Sequence, residues 1–135
     1  MRLCAGFGAP LDLIEPFGFI WDEKKIRTAA LDYYDHVALT RYSSWENFLE
    51  NKKPGRIVLL TTKAATPYIE YRFKPDDTLL LGRESAGVPD EVHARADGRI
   101  VIPMSPVIRS FNVAMAASIV LGEVSRQFRL EGLLP

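Results

Sequence analysis

Residues 78–89 read Thr78-Leu79-Leu80-Leu81-Gly82-Arg83-Glu84-Ser85-Ala86-Gly87-Val88-Pro89, an apolar run that passes directly into a polar loop bounded by two glycines. Unbroken apolar character, rather than in-and-out alternation, predicts a parallel strand covered on both faces. A second apolar run, Ile100-Val101-Ile102-Pro103-Met104, leads to Arg109-Ser110-Phe111-Asn112 at the head of a long helix. Two strands thus end in polar loops that can face one cleft, which is where open α/β sheets hold their ligands.

The rest of the chain has the same grain. Residues 11–15 read as a short strand closed by Pro16 and Gly18, and residues 22–31 as a helix with Asp22 as its N-cap. Residues 36–42 read as a strand. Residues 44–51 read as a helix capped by Ser44, with Trp45, Phe48 and Leu49 on one face, and residues 56–61 as a third strand. Residues 66–77 carry two prolines and read as irregular. Alternating strands and helices predict an α/β fold, a parallel sheet with helices on both faces, in a single domain over residues 1–135. The final helix, residues 110–130, carries Val113, Ala116, Ala117, Val120, Leu121 and Val124 among small residues. It either packs on its own sheet or shares a face with a symmetry mate.

Composition narrows the function classes. A chain of 135 residues with 47% apolar side chains can fill one ordinary core. Seventeen basic and seventeen acidic side chains cancel, so the overall footprint of a strongly basic nucleic-acid binder is missing and any RNA contact has to be local. Cys4 is alone, the chain shows no metal-ligand spacing, and His36 and His93 are too isolated to build a zinc site, so no metal is expected. No apolar run reaches the ~18 residues of a membrane span, and the N-terminus lacks a signal-peptide layout. A lone cysteine and these absences point to a soluble protein of the reducing cytoplasm.

The Gly82 loop matches neither G-x-G-x-x-G nor a phosphate-cradling Walker loop. By themselves Gly82 and Gly87 read as turns with positive φ. Set beside Arg109-Ser110-x-Asn112, they read as one side of a site that holds its ligand through backbone amides and carbonyls. No Ser/His/Asp or Cys/His set is evident, which counts against a hydrolase on a doubly wound fold.

The LLLGRESAGVPDEV segment, the IPM-x4-RSFN segment and a helix ending in GEVSRQ resemble the second and third motifs of the SPOUT superfamily, trefoil-knotted methyltransferases that use S-adenosyl-L-methionine. Residues 2–37, RLCAGFGAPLDLIEPFGFIWDEKKIRTAALDYYDHV, resemble its TrmL-like branch, tRNA 2′-O-methyltransferases acting on cytidine and uridine at the wobble position. The resemblance spans nearly the whole chain. It implies a deep C-terminal trefoil knot, a topology that strand and helix patterns cannot supply because true knots are rare.

The resemblance also implies roles. Loops at residues 60–63, 82–87 and 102–112 would clamp the cofactor, with backbone at Leu60, Gly82 and Ile102 holding adenine and ribose. Gly82 suits a close approach of the cofactor, and Ser110 either contacts the ligand or caps the last helix. Arg2 matches the first-motif arginine assigned a part in activating the 2′-hydroxyl. A guanidinium with a pKa above ~12 is a poor base, so binding the adjacent phosphate and orienting the hydroxyl is the better role. Arg109 would clamp substrate phosphate or ribose, and Asn112 would bind substrate as well. Arg83 and Glu84 are substrate candidates or a surface ion pair. A tRNA partner and a homodimer are implied as well. Two departures stand out: the chain begins at the last arginine of P-x-N-x-G-x-x-x-R, without the strand and asparagine before it, and Gly122 replaces a tyrosine. The shortened first motif leaves open an alternative, a cofactor-binding or RNA-binding domain with little transfer activity.

Overall fold

The computed structural model describes residues 2–15, 24, 36–82, 87–105, 107 and 112–134, with Arg2 and Ala5 described by backbone alone. The helix expected at residues 22–31 lies outside the described residues. The chain forms two compact units, residues 1–53 and residues 54–135.

The first unit opens with helix α1 (Arg2–Phe7), which sequence reading did not anticipate. Strand β1 (Leu11–Ile14) then pairs in parallel with β2 (Leu39–Tyr42), Leu11 opposite Leu39 and Ile14 opposite Tyr42. β2 is shorter than the expected 36–42, because only residues from Leu39 onward have a β1 partner. Helix α2 (Trp45–Asn51) begins where Ser44 predicts: the Ser44 Oγ accepts from the Asn47 N–H at 3.0 Å, satisfying an amide that the first turn would leave orphaned. Phe48 is buried on its inner face, edge-on to Tyr42 at 5.2 Å and stacked on Trp45 at 5.5 Å.

The second unit is a three-stranded parallel sheet in the order β4 (Thr78–Leu81), β3 (Ile57–Leu60), β5 (Gly98–Ile100). Ile57, Val58 and Leu59 are buried at three successive positions, so both faces of the central strand are covered, as its unbroken apolar run requires. Polar staples fix the amino ends of the strands. Arg56 donates through Nε and Nη2 to both carboxylate oxygens of Asp77 at 2.9 and 2.7 Å, and through Nη2 to the Arg72 carbonyl at 3.0 Å. Asp97 closes the other flank, its Oδ2 accepting from the Ile57 N–H and its own N–H donating to the Ile57 carbonyl, both at 2.8 Å.

β5 departs from expectation. The strand was expected over residues 100–104 but lies at Gly98–Ile100, and residues 102–104 leave the sheet. Val101 spends its N–H and carbonyl on Thr66 and Tyr68, and Pro103 has no N–H to offer a ladder. Helix α3 (Asp90–Arg95), also unanticipated, carries the chain from β4 toward β5, and Arg99 caps its end by donating to the His93 and Ala94 carbonyls.

Helix α4 (Val113–Leu130) packs on its own sheet: Val120 is fully buried in a cluster with Val58, Phe73, Ile100 and Ile102, flanked by Ala116, Ile119, Val124 and Phe128. The helix starts three residues later than residue 110. Its N-cap is Asn112, whose Oδ1 accepts from the Met115 N–H at 2.8 Å, so the capping role considered for Ser110 belongs to Asn112. At the far end Gly132 takes φ 76° and Leu133 donates to the Phe128 carbonyl at 2.7 Å, closing the helix with a left-handed glycine. Among the described residues no helix is long and apolar enough to cross a membrane.

Candidate functional site at the carboxyl edge of the sheet

Register decides what can meet at the sheet edge. Leu60, at the end of β3, is opposite Leu81 of β4 on one side and Ile100 of β5 on the other. The three strands are parallel, so their loops leave the same edge side by side. Gly82 follows Leu81 directly, and Ile102 lies two residues beyond Ile100. Leu60, Gly82 and Ile102 are therefore brought to one edge, the place where parallel sheets bind ligands.

The loops after β3 and β5 are laced by main chain. The Thr61 N–H donates to the Ile100 carbonyl at 2.9 Å, extending the ladder one step past the strand. The chain then turns at Thr61, whose Oγ1 accepts from the Lys63 N–H at 3.2 Å. It returns with Pro67 bridged in parallel to Val101. There the Val101 N–H donates to the Thr66 carbonyl and the Tyr68 N–H to the Val101 carbonyl, both at 2.9 Å. Ile102, next along, is anchored by a buried side chain in the core cluster. Sequence reading has no signal for this lacing, because it runs through peptide groups that every residue carries.

The loop after β4 explains its two glycines differently. Gly87 does take the left-handed region, φ 66°. Gly82 does not; a Cβ there would stand 2.5 Å from the Gly87 carbonyl carbon and 2.8 Å from its oxygen. Gly82 is thus demanded by its own loop folding back on it, and the expectation of a positive φ there is corrected. Asn112 is described and caps α4. Arg83, Glu84, Arg109 and Ser110 lie outside the described residues, and Arg2 opens α1 with its side chain outside them. A tyrosine side chain in place of Gly122 would start in open space, since a Cβ there has no neighbour within 4 Å.

Among the described residues the titrating groups offer no primed nucleophile. Burial pushes the Cys4 thiol up, away from the thiolate that covalent chemistry needs. Hydrogen bonds from Arg126 hold the Glu123 carboxyl below its ordinary range, a structural pairing on α4 with Nη2 to Oε1 at 2.6 Å. What the edge offers is peptide groups in fixed positions, suited to binding and orienting a ligand rather than attacking it.

The sequence model described as the SpoU rRNA Methylase family matches residues 1–122. A tRNA (cytidine(34)-2′-O)-methyltransferase of Beijerinckia indica subsp. indica is 52% identical over 129 residues, covering 94% of this chain and 81% of the relative. A solved structure concerned with 2-OH methylation of C/U34 on tRNA superposes with a TM-score of 0.85 at 39% identity, covering 95% of this chain and 80% of that one. The methyltransferase AviRb of Streptomyces viridochromogenes, solved with AdoMet, shares the fold with a TM-score of 0.80 at 23% identity, over 96% of this chain and 54% of its own.

Proposed function

The chain belongs to the SpoU RNA methylase family, and we propose that it transfers a methyl group to the ribose 2′-oxygen of the wobble cytidine or uridine, position 34, of tRNA. The observation that carries the proposal is the common edge at which Leu60, Gly82 and Ile102 stand, formed by three parallel strands in register. A relative aligned over 94% of this chain supports the substrate class.

The residues fit S-adenosyl-L-methionine by the chemistry of their donors: a cofactor rich in ring nitrogens and ribose hydroxyls needs hydrogen-bonding groups that do not move, and main chain at the ends of stapled strands is of that kind. When bound, the cofactor supplies a methyl group on a sulfonium centre. The chain's own work is alignment. In-line transfer depends on an oxygen held behind the methyl, and positioning and electrostatics supply most of the effect in a site of this kind. Arg109 takes a phosphate or ribose of the tRNA beside the cofactor, and Asn112, Arg83 and Glu84 are further substrate-binding residues. Arg2 binds the adjacent phosphate and orients the 2′-hydroxyl, and Ser110 adds a hydroxyl to the cofactor loops.

The same reading includes the trefoil threading of the loops, a single domain over residues 1–135, a cytoplasmic location and a homodimer. Light scattering at micromolar concentration tests the last: twice the mass of one chain is expected, and a monomer overturns it. For the activity, the assay is tritiated methyl transfer to unmodified tRNA, against tRNA carrying a 2′-deoxy nucleotide at position 34. Transfer to the first and none to the second is expected. Equal labelling of both refutes the target, and cofactor uptake without transfer to either refutes the activity.

A further inference from the structure

One polar side chain in the second unit makes contacts that neither packing on the sheet nor the cofactor edge accounts for. Gln127, in the last turns of α4, donates through Nε2 to the Tyr71 carbonyl at 2.8 Å and accepts at Oε1 from the Phe73 N–H at 3.0 Å. Those two peptide groups flank one residue, so the side-chain amide engages the segment as a neighbouring strand would. Gln127 is itself oriented: Nε2 also reaches Glu123 Oε1 at 3.4 Å, and Glu123 is held by Arg126 through contacts of 2.6, 3.0 and 3.1 Å.

The clamped segment leads straight back to the site edge. Tyr71 closes a 3₁₀ turn (Tyr68–Glu70) by donating to the Tyr68 carbonyl at 3.3 Å, and Tyr68 is the residue whose N–H holds Val101. Val101 in turn precedes Ile102. The side chains repeat the connection, since Tyr68, Tyr71 and Phe73 pack in one cluster with Ile100 and Ile102. Three links thus join the helix to the edge: amide to Tyr71 and Phe73, turn to Tyr68, and ladder to Val101.

We infer that Gln127 is a positioning residue for the cofactor edge: by clamping residues 71–73 it keeps the loop after β3 laced to Val101 and so fixes the main chain at Leu60 and Ile102. The inference rests on the proposed methyl transfer and names a residue that acts on it without touching the ligand. Without the clamp the loop divides its time between a laced and an opened form. Only the laced form presents the edge, so apparent affinity falls in proportion to its population while a saturating ligand draws the loop closed again.

The test compares the full chain with Gln127→Met, which keeps length and helix preference but neither bond, and with Gln127→Glu, which keeps an acceptor for Phe73 but no donor for Tyr71. Calorimetry gives Kd for S-adenosylmethionine, and methyl transfer at saturating tRNA gives KM for the cofactor and kcat. Two net hydrogen bonds correspond to about 5- to 150-fold, so Kd and KM should rise by that factor in Gln127→Met and by at least as much in Gln127→Glu, whose carboxylate would face the Tyr71 carbonyl and the Glu123 carboxylate. kcat should stay within about twofold. Hydrogen exchange at the Tyr68 and Val101 amides should quicken in Gln127→Met and be restored by cofactor. A fall in kcat at unchanged KM would mean a loss of folded protein alone and overturn the inference, as would wild-type affinity in both variants. Wild-type protein that takes up no cofactor would overturn the functional reading and the inference with it, an outcome distinct from binding that the variants leave untouched.

Discussion

Replacing Gly82 with alanine adds one carbon at a crowded point of the sheet edge. That carbon falls 2.5 Å from the carbonyl carbon of Gly87, 2.8 Å from its oxygen and 2.9 Å from its Cα. Non-bonded carbons rest at about 3.5–4.0 Å, so the two strands of the loop must part by roughly 1 Å. No rotamer change relieves this, because every atom struck is main chain, and Gly87 is already committed to φ 66°. Overpacking of this size costs about 1–3 kcal/mol, which is about 5- to 150-fold if it falls wholly on the ligand-competent loop. The cost divides according to how freely the loop can swing out. A loop that opens in the free protein loses little stability and charges the whole cost to binding, whereas a loop that cannot open lowers the melting temperature. Calorimetric titration of S-adenosylmethionine and a thermal melt of the same sample therefore have to be read together. Affinity is expected to fall at least about fivefold, with a melting temperature lower by no more than about 8 °C. Unchanged affinity together with an unchanged melting temperature would refute the argument, since the added carbon would then have met no obstacle and no ligand.

Arg109→Ala should lower methyl transfer at limiting tRNA by roughly 10- to 150-fold, the loss of a charge-assisted phosphate contact, while calorimetric cofactor affinity stays near that of the parent. Asn112→Ala should cost about 0.5–2 kcal/mol in a denaturant melt, because it removes the cap of an 18-residue helix, whereas Ser110→Ala should leave the melt unchanged. Stability should also fall in acid. The folded Glu123 carboxyl is held below its ordinary pKa by Arg126, so its contribution is present above the unfolded value of about 4.3 and is lost as pH drops through the folded one. Melts of Glu123→Gln across that window should show a shallower pH dependence than the parent.

The elements legible in the sequence were those with a local cause. The run of residues 57–60, and of 79–81 after Thr78, is apolar at every position, the pattern expected of parallel strands inside a covered sheet. Ser44 announces α2 because its hydroxyl caps an amide three residues away, a contact that needs nothing beyond the next turn. The loops after β4 and β5 stood out by their polar residues and their place after strands, and the motif resemblance assigned them a reaction. Where the sequence misled, the deciding partner was distant. Ile102 and Met104 look like strand residues, yet the ladder ends at Ile100 because Val101 pairs with a loop some thirty-five residues earlier. Ser110 and Asn112 are both good caps by type, and only the path of the chain into α4 selects Asn112. Gly82 looks like a turn glycine, and only the return of Gly87 shows that space rather than φ requires it. Gln127 was one polar residue in a helix until Tyr71 and Phe73, over fifty residues away, were seen to meet it. Side-chain burial and caps are written in neighbouring residues, so sequence alone determined β3, β4 and α2 and, through its motifs, the family. Main-chain hydrogen bonds between distant segments carry no residue signature, and so the register of the sheet edge, its lacing and its clamp were settled only by the tertiary structure.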